Sequence, residues 1–401
     1  MIPFGNIPFG NIPIGIIPFG KFYYFCIMKS PFTFGKVATG SSFINRHAEI
    51  TKLSGNFTNQ VNTILISPRR WGKSSLVKKT ALILSAENPE IIFCFLDLFR
   101  IRTEEEFYKR YAVEIIKATS GKVEEWIRNL KEFLGRLSPT ISFGTDPIND
   151  FQVSFNLSGQ ETDIEEILNL PERLASQNKK QIVVCIDEFQ NIGDYPESMQ
   201  LQKLLRSVWQ YHQNTTYCLY GSKRHMMMEL FEKQSNPFYK FGETMFLQKI
   251  GKSEFSDFII DAFEQTGKAI QEDTCDELID WVDAHPYFVQ QLAHIVWTNT
   301  QKVVSREIFE DSLNEMIDQN SILYKQIISE LSNTQVNFLI ALAKGEKNFN
   351  SIETLQKYEL GTSGNITKIK NVLINKEIID KENGSFDFLD PVFKKWVLRT
   401  F

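Results

Sequence analysis

The sequence predicts an α/β layer fold with a mainly parallel central sheet, then a helical region, then a small mixed domain at the end. Three observations carry that reading. From Phe43 onward, short apolar runs alternate with amphipathic stretches of helical period. The apolar runs stop near residue 250, and helical periodicity takes over. Residues 331–401 combine helical stretches with a hairpin signal at Glu382, Asn383 and Gly384.

In chain order, residues 1–27 stand apart. MIPFG NIPFG NIPIG IIPFG is a five-residue tandem repeat with Pro inside each unit and Gly at its end. Proline at that interval breaks a membrane helix repeatedly, and no basic stretch precedes an apolar core as in a signal peptide. The expectation is a disordered extension, with Met28 of MKSPFTFGK as an alternative natural start. A core domain is expected over 28–250. Its strands are Ile64–Ser67, Ile91–Asp97, Ile182–Asp187, Tyr217–Gly221 and Met245–Leu247, and its helices include Ser74–Leu84, Glu104–Ala118, Lys122–Leu137 and Ser198–His212. Residues 139–158 alternate around a DP turn and read as an inserted β-hairpin. A helical domain follows over 251–330, and a last domain over 331–401.

Composition narrows the function classes. A 401-residue chain that is 42% hydrophobic and 23% charged can bury the cores of two or three domains. A net charge of −5 gives no global attraction to nucleic acid or anionic lipid, so such a partner would need a local patch. Cys26, Cys94, Cys185, Cys218 and Cys275 are widely spaced without a CxxC pair, which fits a reducing cytoplasm. Neither a metal-ligand spacing nor a GxSxG pattern occurs.

The chemistry sits where two strands end. Ser67, Pro68, Arg69, Arg70, Trp71, Gly72, Lys73 and Ser74 follow an apolar strand and open a helix, close to the GxxxxGK[ST] phosphate loop but with Ser67 where the first Gly belongs. Such a loop wraps phosphate with successive backbone N–H groups, including that of Ser75, against the positive end of a helix. Gly72 permits close approach, Lys73 supplies charge to β/γ oxygens, and Ser74 offers a hydroxyl to Mg2+. Ser67 is small enough to fit in place of that glycine, or else strains a backbone that wants positive φ there. A second strand, Val183 to Ile186, delivers Asp187 and Glu188 to the carboxyl edge of the sheet. There Asp187 would hold Mg2+ and Glu188 would orient or deprotonate the attacking water. Both motifs in one chain, in this order, point to ATP.

The ensemble resembles the archaeal-type ATPases, in the STAND and AAA+ division of P-loop NTPases. FINRHAEI at 43–50, PRRWGKSSL at 68–76, VVCIDEFQNI at 183–192, YGS at 220–222, AHPYFVQQLA at 284–293 and FLDPVFKKW at 388–396 carry the resemblance. It implies a P-loop AAA+-like three-layer core, with residues 251–330 as a helical lid over the nucleotide. It also implies that Ser222 is the polar sensor of the γ-phosphate, that His285 and Pro286 stand in the lid's GxP-type motif, and that Phe43, Ile44 and Arg46 shape the adenine pocket. Pro286 equally suits the first turn of a helix, and Ser222 a turn after a strand. Arg206 and Arg224 are candidates for completing catalysis between subunits, with surface salt bridging the favoured alternative for each. Where the family tends to carry an arginine, Lys240 or Phe241 stands instead.

Residues 331–401 resemble a winged helix, whose third helix would carry Lys368, Lys370 and Lys376. That helix can read DNA, or the module can pack on the core as a regulatory or protein-binding element. Two functions follow: an ATP-hydrolysing, Mg2+-dependent switch in which nucleotide state moves the lid and winged helix, or a nucleotide-stabilised scaffold or DNA-associated regulator without significant turnover. The expected partners are ATP, an unidentified protein and a second copy in a nucleotide-dependent oligomer, with no membrane.

Overall fold

The computed structural model describes residues 29–37, 43–44, 46–121, 125, 128–129, 161–382 and 384–401. The repeat at 1–27, the hairpin at 139–158, most of the helix at 122–137, Cys26, Met28 and Asn383 lie outside the described residues.

The strands β1 (Thr63–Ile66), β2 (Ile91–Asp97), β3 (Gln181–Asp187), β4 (Thr215–Gly221) and β5 (Glu243–Phe246) form one sheet in the order β2-β3-β4-β1-β5. Every pairing in it is parallel, as the near-continuous apolar runs required. Helices cover both faces: α1 (His47–Thr58) and α2 (Lys73–Glu87) on one, α3 (Glu104–Thr119), α4 (Glu161–Leu168), α5 (Leu170–Asn178), α6 (Ser198–Trp209) and α7 (Arg224–Glu232) on the other. Alternation along each strand sorts the cores. Ile64, Val184, Ile186 and Leu219 pack under α3, α6 and α7, whereas Leu65, Val183, Cys185 and Cys218 pack under α1 and α2. The strand cysteines Cys94, Cys185 and Cys218 are buried free thiols, as is Cys275.

Local chemistry sets the helix starts. Thr103 accepts a hydrogen bond from the Glu106 N–H, and Glu104, Glu105 and Glu106 stand in the first turn of α3, where acidic groups favour the helix dipole. The helix expected over 198–212 ends at Trp209, whose ring stacks on Tyr217 at 4.2 Å.

The helical region comprises α8 (Lys252–Gln265), α9 (Glu272–Trp281), α10 (Pro286–Asn299) and α11 (Arg306–Ser329). The winged helix follows as α12 (Asn333–Ala343), α13 (Ile352–Lys357), α14 (Ser363–Asn375), the antiparallel wing β6 (Ile379–Glu382) with β7 (Ser385–Phe388), and α15 (Pro391–Thr400). A capping box between Ser332 and Gln335 starts α12. One continuous core joins the two regions: Phe309 and Tyr324 of α11 share a cluster with Leu339, Leu373, Val392 and Trp396. Tyr324 donates to Asp390 at 3.0 Å and Trp396 to Ser321 at 3.0 Å. Residues 30–33 also join this side: Phe32 is buried against Phe258 and Phe263, and Ser30 meets His294 at 2.8 Å. The lead-in chain, placed in the core over 28–250 by the sequence, therefore packs on the helical region.

The three lysines of the winged helix have different fates. Lys370 is half-buried over the rings of Phe349 and Phe386, at 5.2 and 4.5 Å, and Lys376 pairs with Glu330 at 3.5 Å. Lys368 is exposed. No helix among the described residues is long and apolar enough to cross a membrane.

Candidate functional site

Parallel pairing brings the carboxyl ends of β1, β3 and β4 to one edge of the sheet, and there the phosphate loop, the paired carboxylates and Ser222 meet. The register Ile66↔Gly221 sets Ser67 beside Ser222, and the Ser67 N–H reaches the Gly221 carbonyl at 3.4 Å. Ser67 is buried and lies outside the positive-φ region, so the small side chain fits there without strain. The left-handed residues of the loop are Arg70 (φ 65°) and Gly72 (φ 89°) instead. Gly72 takes that conformation without a Cβ penalty as it leads into α2.

Five predicted side chains meet directly. Lys73 Nζ lies 2.7 Å from Glu188 Oε1 and 3.6 Å from Asp187 Oδ1. Ser74 donates to Asp187 Oδ2 at 2.5 Å, and Ser222 donates to Glu188 Oε2 at 2.9 Å. Glu188 has φ 51°, a left-handed residue that turns its carboxylate back toward Lys73. Burial drives the Glu188 carboxyl up, but the Lys73 charge and donation from Lys73, Gln190 and Ser222 leave it below the usual range. At Asp187 burial prevails over Lys73 and Ser74, and the carboxyl is raised. Adjacent carboxyls pushed in opposite directions are a mark of acid–base sites.

The Ser74 hydroxyl and the Asp187 carboxylate suit Mg2+, which takes one or two protein oxygens and keeps several waters. The direct hydrogen bond between them brings the two oxygens to one place, and the raised Asp187 is a buried carboxylate short of positive charge.

A cavity of about 560 Å³ lies beside this cluster and meets it at Lys73 and Ser74. Arg70 through Ser75 form one wall, and Phe43, Ile44 and Arg46 a second. Pro286, in the first turn of α10, faces them from the lid with Tyr287 and Gln290. Pro68 and Arg69 point elsewhere: Pro68 lines a small cleft shared with Asp380 and Asp387 of the wing, and Arg69 pairs with Glu377 at 3.2 Å.

Two residues of the lead-in and lid motifs also make structural contacts with the loop. Arg46 is buried, donating to the Gln248 and Trp71 carbonyls at 2.8 and 3.2 Å and pairing with Glu49 at 2.8 Å, so it braces the phosphate loop from beneath. His285 is buried against Trp71 and Phe288, and its ring is held neutral, its pKa carried down to about 3 by burial. It supports the loop rather than meeting phosphate.

Arg206 lies over the Phe241 ring at 5.0 Å and Arg224 over Phe246 at 5.4 Å. Phe241 is buried in the core and Lys240 is exposed with φ 50°.

Three contributors escaped the sequence reading. Thr33 to Val37 line the cavity, with the Thr33 N–H donating to Gln290 at 3.0 Å and Phe34 edge-on to Tyr287 at 6.0 Å. Tyr287 also carries the Arg70 guanidinium 4.4 Å above its ring. Gln190 donates to Glu188 Oε2. Only the VVCIDEFQ run hinted at Gln190, by placing it two residues past Glu188.

The strand order, phosphate loop and strand-end carboxylates define a P-loop ATPase core of the AAA+ type, followed by a helical lid and a winged helix. Residues 43–292, well over half of the 401, match the family described as an ATPase domain predominantly from Archaea, and the chain belongs to that family. A winged helix domain matches residues 322–399. Among solved structures, the Walker-type ATPase PABY2304 of Pyrococcus abyssi is similar at 17% identity, covering 89% of this chain and 96% of that one, with a TM-score of 0.61. The ORC2 protein of Aeropyrum pernix, solved as ADPNP-ADP complexes, is similar at 15% identity over 88% and 93% of the two chains, with a TM-score of 0.53. Both likenesses are of fold. No curated protein matches the sequence.

Proposed function

We propose that this protein binds ATP with Mg2+ in the cavity and hydrolyses it, and that nucleotide state sets the placement of lid and winged helix. The observation that carries the reading is the direct contact of Lys73, Ser74, Asp187, Glu188 and Ser222 beside a cavity walled by the phosphate loop, the lead-in segment and the lid. Backbone N–H groups from Arg70 to Ser75 cradle the phosphates at the start of α2, and Lys73 turns to the β/γ oxygens. Ser74 and Asp187 hold Mg2+, which neutralises phosphate charge when bound. Phosphate then competes with Glu188 for Lys73, which releases Glu188 Oε1 to take a proton from water. Ser222, beside Glu188, reads the γ-phosphate. The ORC2 relative bound nucleotide, which agrees with this ligand class.

The switch follows from the loop's outer contacts. Arg70 on Tyr287 and Trp71 on His285 touch the lid, and Arg69 on Glu377 touches the winged helix, while lid and winged helix share one core. We further propose that the protein works in the cytoplasm and oligomerises with nucleotide, with a protein partner on the winged helix. The competing reading is binding without turnover, favoured by the Lys73 to Glu188 ion pair that occupies the base.

Purified protein is expected to bind a fluorescent ATP analogue and release phosphate, with and without duplex DNA in parallel arms. Lys73→Ala should abolish binding. Glu188→Gln should keep binding and lower turnover by at least about 10²-fold. Unchanged binding in Lys73→Ala removes the nucleotide site, and unchanged turnover in Glu188→Gln removes Glu188 as the base.

A further inference from the structure

Gln190 is a fully buried amide with an unbalanced set of partners. It sits one residue into the 3-10 turn Phe189–Asp194 that follows β3, and it is 1% exposed. Its Nε2 donates to Glu188 Oε2, the oxygen that also accepts from Ser222, while Glu188 Oε1 faces Lys73. Its own Oε1 is buried and has no hydrogen-bond partner. An apolar side chain of the same length would fill this space without leaving an acceptor orphaned, so packing alone gives no reason for an amide here. The carboxylate fixes the orientation of that amide, since the reverse orientation would set oxygen against oxygen.

Space for the amide comes from the neighbouring strand. A Cβ on Gly221, the last residue of β4, would stand 2.0 Å from Gln190 Oε1 and 2.8 Å from Met227 Sδ. Gly221 is therefore the pit into which the Gln190 amide fits, and the residue after it, Ser222, reaches the same carboxylate oxygen. The ends of β3 and β4 hold Glu188 Oε2 from two sides and leave Oε1 to Lys73.

We propose that Gln190, seated in the pit at Gly221, is a positioning residue for Glu188: it fixes Oε2 so that Oε1 is the oxygen presented to the reacting water. This rests on the ATPase reading above, in which Glu188 acts on water. Loss of the Nε2 donor frees the carboxylate to rotate about its side-chain torsions, and a base displaced by an ångström loses turnover while leaving the phosphate cradle intact. The defect then falls on kcat and not on ATP affinity.

The full chain is tested as Gln190→Ala, Gly221→Ala and the double variant. In Gln190→Ala, kcat should fall about ten- to 100-fold, with ATP affinity within about twofold of the unaltered chain. The Gly221 methyl in the double variant refills the pit, so the melting temperature should recover while kcat does not. Recovery of kcat together with stability, or an unchanged kcat in Gln190→Ala, overturns the inference in favour of a packing role. A second arm needs no turnover: in nucleotide-free protein, the losses of melting temperature from Gln190→Ala and Glu188→Ala should be smaller in combination than in sum, because both remove one contact. Additive losses overturn the inference. Absence of phosphate release from the unaltered chain counts against the ATPase reading alone, and the coupling arm then decides the role of Gln190.

Discussion

Arg46 shows how a single side chain can hold a loop it does not belong to. Burial depresses its pKa, against the raising effect of Glu49, and its two nitrogens satisfy the Gln248 and Trp71 carbonyls. Replacing it by Met removes the charge but leaves two carbonyls and Glu49 without their donor. Arg46→Met is expected to destabilise the protein by roughly 2–4 kcal/mol, measured by chemical denaturation, and to weaken ATP binding through the freed loop. The site residues that were legible in sequence, Lys73, Ser74, Asp187 and Glu188, are those whose chemistry is written in consecutive positions after an apolar strand. Arg46 was legible as part of a motif but not in its role, because its partners Gln248 and Trp71 stand far along the chain. Gln190 was hidden for a different reason: its significance depends on the absent Cβ of Gly221, which no local pattern announces.

Among the elements, α10 carries the clearest dependence on pH. His285 caps its N-terminus, and burial against the phosphate loop lowers its pKa from 6.5 to about 3; His212, after α6, is lowered to about 4 by burial despite Glu172. Between pH 6.5 and these values the unfolded chain binds protons that the native chain refuses. Their stabilising effect is therefore complete above the unfolded value and erodes as pH falls through that window, by up to about 1.4 kcal/mol per pH unit for each group. His285→Phe, which keeps a ring against Trp71, should lose less stability than the unaltered chain between pH 7 and pH 5 in urea titrations. The strands and most helices were legible because parallel strands read as solid apolar runs and surface helices as periodic ones. Whether Ser67 fits or strains stayed open in the sequence because no local pattern says which loop residue takes positive φ, and the loop places that conformation at Arg70 and Gly72. The basic face expected of α14 also shrank, since the Lys370 ammonium turns over the rings of Phe349 and Phe386.

At the scale of the whole molecule, the phosphate loop touches all three parts, and the contact to the winged helix is the weakest. Arg69 and Glu377 have side chains 60% and 24% exposed, so their pair contributes about 1 kcal/mol or less to stability. A contact that weak can open and close without unfolding anything. Arg69→Glu is expected to leave the melting temperature nearly unchanged and to lower energy transfer between dyes at the exposed positions Leu82 and Ile352, with Glu377→Arg restoring it. Equal transfer in all three proteins, with ATP or without it, would remove the ion pair from the switch. The sheet order has another consequence, for the way the chain is made. β1 is interior to the sheet but first in sequence, and its neighbours β4 and β5 begin at Thr215 and Glu243. At ordinary rates of synthesis the ribosome needs roughly ten to a few tens of seconds to travel from β1 to β5. Until β4 is made the apolar Thr63–Ile66 segment has both edges bare, and until β5 is made one edge stays bare, so the nascent chain is at its most prone to aggregate before the phosphate loop has taken shape.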